Sequence, residues 1–157
     1  MKNFLHSVEK LIGMYRWHPE LALRYLPIVH HIKSSGVRNP SILEVGSGTL
    51  GIAPYIKQQV TGLDIVFDGP AFPLLKQVKG SAMEIPFKDE LFDIVLLVDV
   101  LEHLKKSDRS IAISEALRVA RQQLIIAVPC GNEALAHDKK MAGIYKERFG
   151  VDFPFFL

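Results

Sequence analysis

At 157 residues with 48% hydrophobic side chains, the chain suits one domain with a single sizeable core. Its formal charge of +2 provides no net field that would select a nucleic acid or an acidic membrane, and the one cysteine, Cys130, excludes an internal disulfide and a thiolate zinc site. No apolar stretch approaches the roughly 20 residues a bilayer-crossing helix needs, and the polar residues scattered through Met1 to Lys10 argue against a signal sequence, so a cytoplasmic protein that spans no membrane is expected.

Residues 1–38 carry helical spacing in two pieces and read as an N-terminal helical cap. The second piece opens at Pro19-Glu20, where proline suits a first turn, and closes at Gly36, with Pro27 expected to kink or split it. From Ser41 onward short apolar runs alternate with longer amphipathic stretches, the pattern of repeated βαβ units. The spacing predicts strands over 41–45, 59–63, 78–81, 92–98 and 123–128, several apolar enough to be buried on both faces. Helices are predicted over 51–58, 70–77, 107–121 and 133–148, the third presenting Ile111, Ile113, Ala116, Leu117 and Ala120 on one side. The expected class is α/β with a doubly wound, mostly parallel sheet and helices on both faces. The final Phe153-Pro154-Phe155-Phe156-Leu157 is an unusually apolar chain end, read either as the stump of a fragment or as a tail docked on the core.

Directly after the first strand, Gly46, Gly48 and Gly51 form G-x-G-x-x-G, a turn that brings backbone close to a ligand at the carboxyl end of a sheet. By themselves these glycines fit a nicotinamide or flavin dinucleotide equally well. Glu44, two residues earlier, suits a cationic ligand group and would repel a pyrophosphate, although a capping role at the strand mouth is also open to it. Asp64 ends the second strand where an acidic side chain accepts hydrogen bonds from ribose hydroxyls.

Further along, Ser81-Ala82-Met83-Glu84-Ile85-Pro86-Phe87 leads through Phe92-Asp93-Ile94-Val95 to Asp99-Val100-Leu101-Glu102-His103-Leu104. The ordered set resembles the class I S-adenosylmethionine-dependent methyltransferases, and within them the UbiE-like type 11 group of small-molecule enzymes, over residues 41–129. The resemblance implies a Rossmann-like sheet of about five strands in the order 3-2-1-4-5, formed by residues 39–157, and S-adenosylmethionine as cofactor. It implies that Glu44, Gly46, Ser47, Gly48 and Gly51 hold the methionine part, Asp64 the ribose, and Ile65 the adenine face. Ser81, where the family often has an aspartate, would reach the adenine amino group alongside Ala82 and Met83, while Asp99 and Val100 would line the methionine side. The family fold adds two strands after the fifth helix. Their absence implies an open sheet edge, through which two copies would pair, or a truncated domain that binds cofactor without catalysis.

Methyl transfer from a sulfonium needs alignment and exclusion of water rather than a catalytic triad. His103 is the expected general base for a small-molecule acceptor. No metal is expected, although Asp99, Glu102 and His103 echo a metal-binding E-x-x-E-H of some O-methyltransferases if helical spacing puts Asp99 and His103 on one face. Cys130 lacks the companion cysteine of cytosine-C5 enzymes, and Asp99-Val100 stands where amino-directed enzymes carry N/D-P-P-Y. Lys139, Lys140, Lys146 and Arg148 read as a solvated helix face. In the N-terminal segment Tyr15, Arg16, Trp17, Arg24 and Tyr25 are placed either to close over the cofactor or to pack in the core. A dinucleotide-binding protein is the competing reading of the glycine turn.

Overall fold

The computed structural model describes residues 19–69 and 72–151. The helices are α1 (Pro19–Ser34), α2 (Ala53–Ile56), α3 (Lys106–Val119) and α4 (Asn132–Phe149). The strands are β1 (Ile42–Val45), β2 (Val60–Asp64), β3 (Leu75–Lys79), β4 (Phe92–Val98) and β5 (Ala120–Ala127), with a 3-10 turn at Leu101–His103. All five strands run parallel in the order β3-β2-β1-β4-β5, as expected. Central β1 is buried at every position, so its apolar run alternates between two cores rather than between core and water. One core joins Ile42, Ile94 and Leu96 to Tyr25, Ile28, Val29 and Ile32 of α1. The other joins Leu43, Val45 and Val95 to Ala116 and Val119 of α3.

Several boundaries differ from the spacing-based reading. α1 runs unbroken through Pro27. That proline is exposed, while Tyr25 on one side of it and Ile28 on the other are buried, so sheet packing holds both halves of the helix in line. The helix expected over 70–77 is absent from residues 72–77: Leu75, Lys76 and Gln77 already pair with Val60, Thr61 and Gly62. Leu75 and Val78, three residues apart, imitated a helical repeat in a short strand at the border of the sheet, where exposed Lys76 and Lys79 are ordinary edge residues. α2 is four residues long because Lys57 turns left-handed and caps it. β5 starts at Ala120, straight after the last residue of α3 and three residues before its expected start. Arg121, read as the last helical residue, and Gln122 next to it instead reach across to Asp93 Oδ1 at 3.0 and 2.9 Å. α3 also presents a different face. Ala112, Ala116 and Val119 are buried, whereas Ile111 is 49% and Leu117 56% exposed. Small side chains let the helix lie close to the sheet, which spacing of the larger apolar residues does not reveal. The first helical piece, Tyr15, Arg16, Trp17 and the terminal aromatic cluster lie outside the described residues. None of the described helices is long and apolar enough to cross a membrane.

The turn after β1 is built around Glu44, which is fully buried. Its Oε2 accepts a 2.6 Å hydrogen bond from the Ile52 N–H at the start of α2. This is the capping alternative of the two roles its position suggested. Gly51, at φ +50°, has no room for a side chain because a Cβ would overlap the Glu44 carboxylate. Glu44 Oε1 has no hydrogen-bond partner among the described residues. Burial pushes the Glu44 carboxyl up to about 7, the Ile52 N–H and the Tyr25 hydroxyl pulling it back and the Asp64 charge adding to the rise.

Leu117→Ser should change stability by no more than about 0.5 kcal/mol in denaturant titrations, whereas Ala116→Leu should cost about 1–3 kcal/mol by overpacking; the reverse ranking would mean that α3 is turned the other way. For Glu44, the folded value of about 7 lies above the ordinary 4.5, so between them the native state keeps a proton the unfolded chain has released. Stability therefore falls as pH rises through that window. Glu44→Gln cannot titrate, and relative to it the wild type should lose up to about 3 kcal/mol across that range; parallel pH profiles would show that Glu44 stays ionised.

Candidate functional site

The carboxyl ends of β1, β2 and β4 open into two adjoining cavities, of about 480 and 420 Å³, that share Gly46, Asp64, Asp99 and His103 as a common wall. Such a crevice arises where neighbouring parallel strands send their connections to opposite faces of a sheet. Here β1 leads toward β2 on one side while β4 flanks it on the other.

The glycine turn forms the floor. Gly46 N–H donates to the Leu63 carbonyl at 2.7 Å, tying the turn to β2. A Cβ on Gly46 would collide with the Val100 side chain, so glycine is required where β1 and the β4 connection come together. Gly48 N–H donates to Asp64 Oδ2 at 2.8 Å, and Val66 N–H approaches Asp64 Oδ1 at 3.4 Å. Asp64 thus orients the glycine turn in addition to lining both cavities.

The larger cavity is the more polar of the two. Its roof comes from α1, whose Arg24 Nε makes a 2.6 Å ion pair with Asp99 Oδ2. Asp99 leaves β4 with a left-handed backbone, φ +51°, an uncommon conformation for a residue with a side chain. Its N–H is held by the Ala127 carbonyl at 2.8 Å, which fixes the carboxylate at the mouth. Tyr25 is buried and stacks on Tyr55 with ring centroids 5.3 Å apart. Burial and the adjoining Glu44 charge push the Tyr25 hydroxyl far above its ordinary range, so it remains protonated. Glu102 also lines this cavity; its Oε2 has no partner among the described residues, and burial, with the Asp99 charge, raises its carboxyl above the usual range.

The smaller cavity is mostly apolar. Ile65 and Val66 from the end of β2 are 66% and 50% exposed, and Met83 faces them from the β3 connection. Val100 and Leu104 complete it. Ser81 Oγ accepts the Met83 N–H at 3.1 Å, so this hydroxyl stabilises its own turn.

Of the residues singled out from sequence, Arg24, Tyr25, Gly46, Ser47, Gly48, Gly51, Asp64, Asp99, Glu102 and His103 line the polar cavity. Ile65, Ser81, Ala82, Met83 and Val100 line the apolar one. Glu44 lines neither; it lies beneath the turn. The suggested metal set does not assemble, since no three His, Cys, Asp or Glu side chains converge as a metal centre among the described residues. The physical reason is backbone: Asp99 lies outside any helix and is committed to Arg24, so the helical spacing that would align it with His103 does not exist. Tyr55 and Pro129 were missed as wall residues. Nothing in their spacing marks them, because they reach the cavity only through the folding of the β1 and β5 connections.

A model of the methyltransferase domain family matches residues 43–128. The phthiotriol/phenolphthiotriol dimycocerosates methyltransferase 1 of Mycobacterium ulcerans is 35% identical over 103 residues, covering 58% of this chain and 36% of its own length. The structure is similar to that of an S-adenosylmethionine-dependent methyltransferase from Thermotoga maritima, with a TM-score of 0.57 and 24% identity over 91% of this chain and 69% of that one. It is also similar to the 1,6-didemethyltoxoflavin-N1-methyltransferase of Burkholderia thailandensis, solved with S-adenosylhomocysteine, with a TM-score of 0.53 and 17% identity over 80% of this chain and 59% of that one. The chain spans little more than a third of the mycobacterial relative and under two thirds of the Burkholderia enzyme. The structural likenesses speak for the fold; the family model, which covers more than half of the 157 residues, places the chain in the type 11 methyltransferase-domain family.

Proposed function

We propose that this chain is the cofactor-binding core of an S-adenosylmethionine-dependent methyltransferase that acts on a small molecule. One observation carries the reading: the Arg24–Asp99 ion pair shares a groove with the glycine turn and Asp64. An amino-acid head group bears one carboxylate and one ammonium, and Arg24 and Asp99 offer the opposite charges side by side. Asp64, Asp99 and Glu102 would meet a dinucleotide pyrophosphate with like charge, which favours a cationic sulfonium compound over a nicotinamide. The apolar cavity beside Asp64 has the character an adenine ring needs, with Met83 as a polarizable neighbour. The S-adenosylhomocysteine bound by the Burkholderia relative supports the same choice.

In this reading Arg24 and Asp99 hold the head group, Asp64 the ribose, and Ile65, Ser81, Ala82, Met83 and Val100 the adenine. Gly46, Ser47, Gly48 and Gly51 supply the close backbone of the turn. Glu44 acts beneath them, shaping the turn rather than touching the cofactor. S-adenosylmethionine supplies an electrophilic methyl group for in-line displacement. The chain's own part is alignment and exclusion of water, and alignment alone is worth about 7–11 kcal/mol. His103, which lines both cavities, is the proton acceptor proposed for the methyl acceptor. A cytoplasmic setting belongs to the same proposal and is supported by the free, exposed Cys130.

Titration calorimetry should detect S-adenosylhomocysteine binding; no heat from the folded protein would defeat the proposal. Arg24→Ala should weaken that binding roughly ten- to a hundredfold, the worth of a charge-assisted contact, yet leave methylthioadenosine, which lacks the head group, within about twofold. We also propose that two copies pair through β5, which has a partner on one side only among the described residues. Light scattering should then give a dimer mass, and a monomer at micromolar concentration would count against the pairing.

A further inference from the structure

We infer that Glu115 and Arg118 on α3 are positioning residues for the apolar cavity: they clamp the connection between β3 and β4 and thereby hold Ser81, Ala82 and Met83 in place. An arginine has five N–H donors in a rigid fork. Two go to Glu115, Nε to Oε1 and Nη2 to Oε2, each at 2.8 Å. The other three reach the connection: Nη2 to the Ile85 carbonyl at 3.0 Å, Nη1 to the Phe87 carbonyl at 2.9 Å, and Nη1 to Asp89 Oδ1 at 2.7 Å. The fork is therefore fully used. Glu115 Oε2 in turn accepts the Ile85 N–H at 2.9 Å.

Both backbone polar groups of Ile85 thus end on one side-chain pair, which replaces the ladder that a strand would provide. Ile85 is also buried in the core with Leu43 and Val45. Just before it, the Glu84 N–H bonds to the Ser81 carbonyl at 3.2 Å and the Met83 N–H to Ser81 Oγ at 3.1 Å. Residues 81–85 therefore form one braced turn, and a shift at Ile85 is carried into the cavity wall. The Arg118 hydrogen bonds and the Ile85 N–H push the Glu115 carboxyl down to about 2, so the clamp stays charged through the ordinary pH range. Asp89 is 74% exposed and is the weak arm, screened by water. The backbone acceptors are the arms that matter, and neither clamp residue lines the cavity.

The inference rests on the proposed adenine site, and the test separates the two. Arg118→Lys keeps the charge but loses the fork. It should weaken adenosine and S-adenosylhomocysteine by the same factor, about tenfold or more. Hydrogen exchange should accelerate at Met83, Glu84 and Ile85 while β1 and β4 keep their protection. Asp89→Asn should change affinity by no more than about twofold. Should Arg118→Lys fail to fold by circular dichroism, Glu115→Gln takes its place in the same measurements. A folded variant that binds adenosine as tightly as wild type overturns the positioning role, and so does acceleration spread evenly over the sheet. If wild type itself binds neither ligand, the adenine site and the positioning role fall together; exchange confined to residues 83–85 would in that case retain the clamp as a purely structural brace.

Discussion

The structure depends on a carboxylate held out of water. Glu44 sits at the carboxyl end of the central strand, fully buried, and receives the N–H of Ile52, the residue that opens the helix that follows. Burying a carboxyl is expensive unless its oxygens find donors; one does, and the other has no hydrogen-bond partner among the described residues. The result is a fastening of strand to helix with little tolerance. It forces Gly51 to be bare and draws Tyr25 of α1 down onto the sheet. The adjoining Gly46, in turn, is bare because Val100 is pressed against it. The glycine pattern is thus a record of what lies behind the turn as well as of what approaches from the cleft.

Charge is arranged in layers around this fastening. Beneath the turn is Glu44, raised toward neutrality by burial. At the level of the turn Asp64 takes the Gly48 N–H, and above it Asp99 is balanced by Arg24 from another element. Each carboxylate has a different degree of compensation, so the groove is negative at its edges and balanced at one point. A ligand with a positive centre and a zwitterionic end matches that distribution. The apolar chamber beside it, by contrast, is shaped by Ile65, Val66 and Met83, side chains that would be poor surface residues elsewhere.

Strand order came with the resemblance to a family, while the central elements were readable because β1 and β4 are short apolar runs and the glycines mark a single turn. The glycine turn and Asp64 were legible from their places at strand ends, whereas Ile65, Ser81, Ala82, Met83, Asp99 and Val100 entered only through the resemblance to a family. What was unreadable had one cause in each case. β3 is an edge strand whose two apolar residues happen to stand three apart, and α3 buries alanines while exposing Ile111 and Leu117. Pairwise partners such as Arg24 with Asp99, or Arg118 with Ile85, depend on which elements meet in space. No local period encodes them.

The junction of α3 and β5 carries a further meaning. Val119 ends the helix and Ala120 begins the strand, with no residue between them. A joint without slack leaves no place for an inserted residue: one extra would turn every following β5 side chain to the opposite face of the sheet. The β2 to β3 connection, with exposed Ile65, Val66 and Asp68, has no such constraint and borders the apolar cavity. Added length is therefore accommodated at the cavity's open rim more readily than at the opposite, amino-terminal end of the sheet.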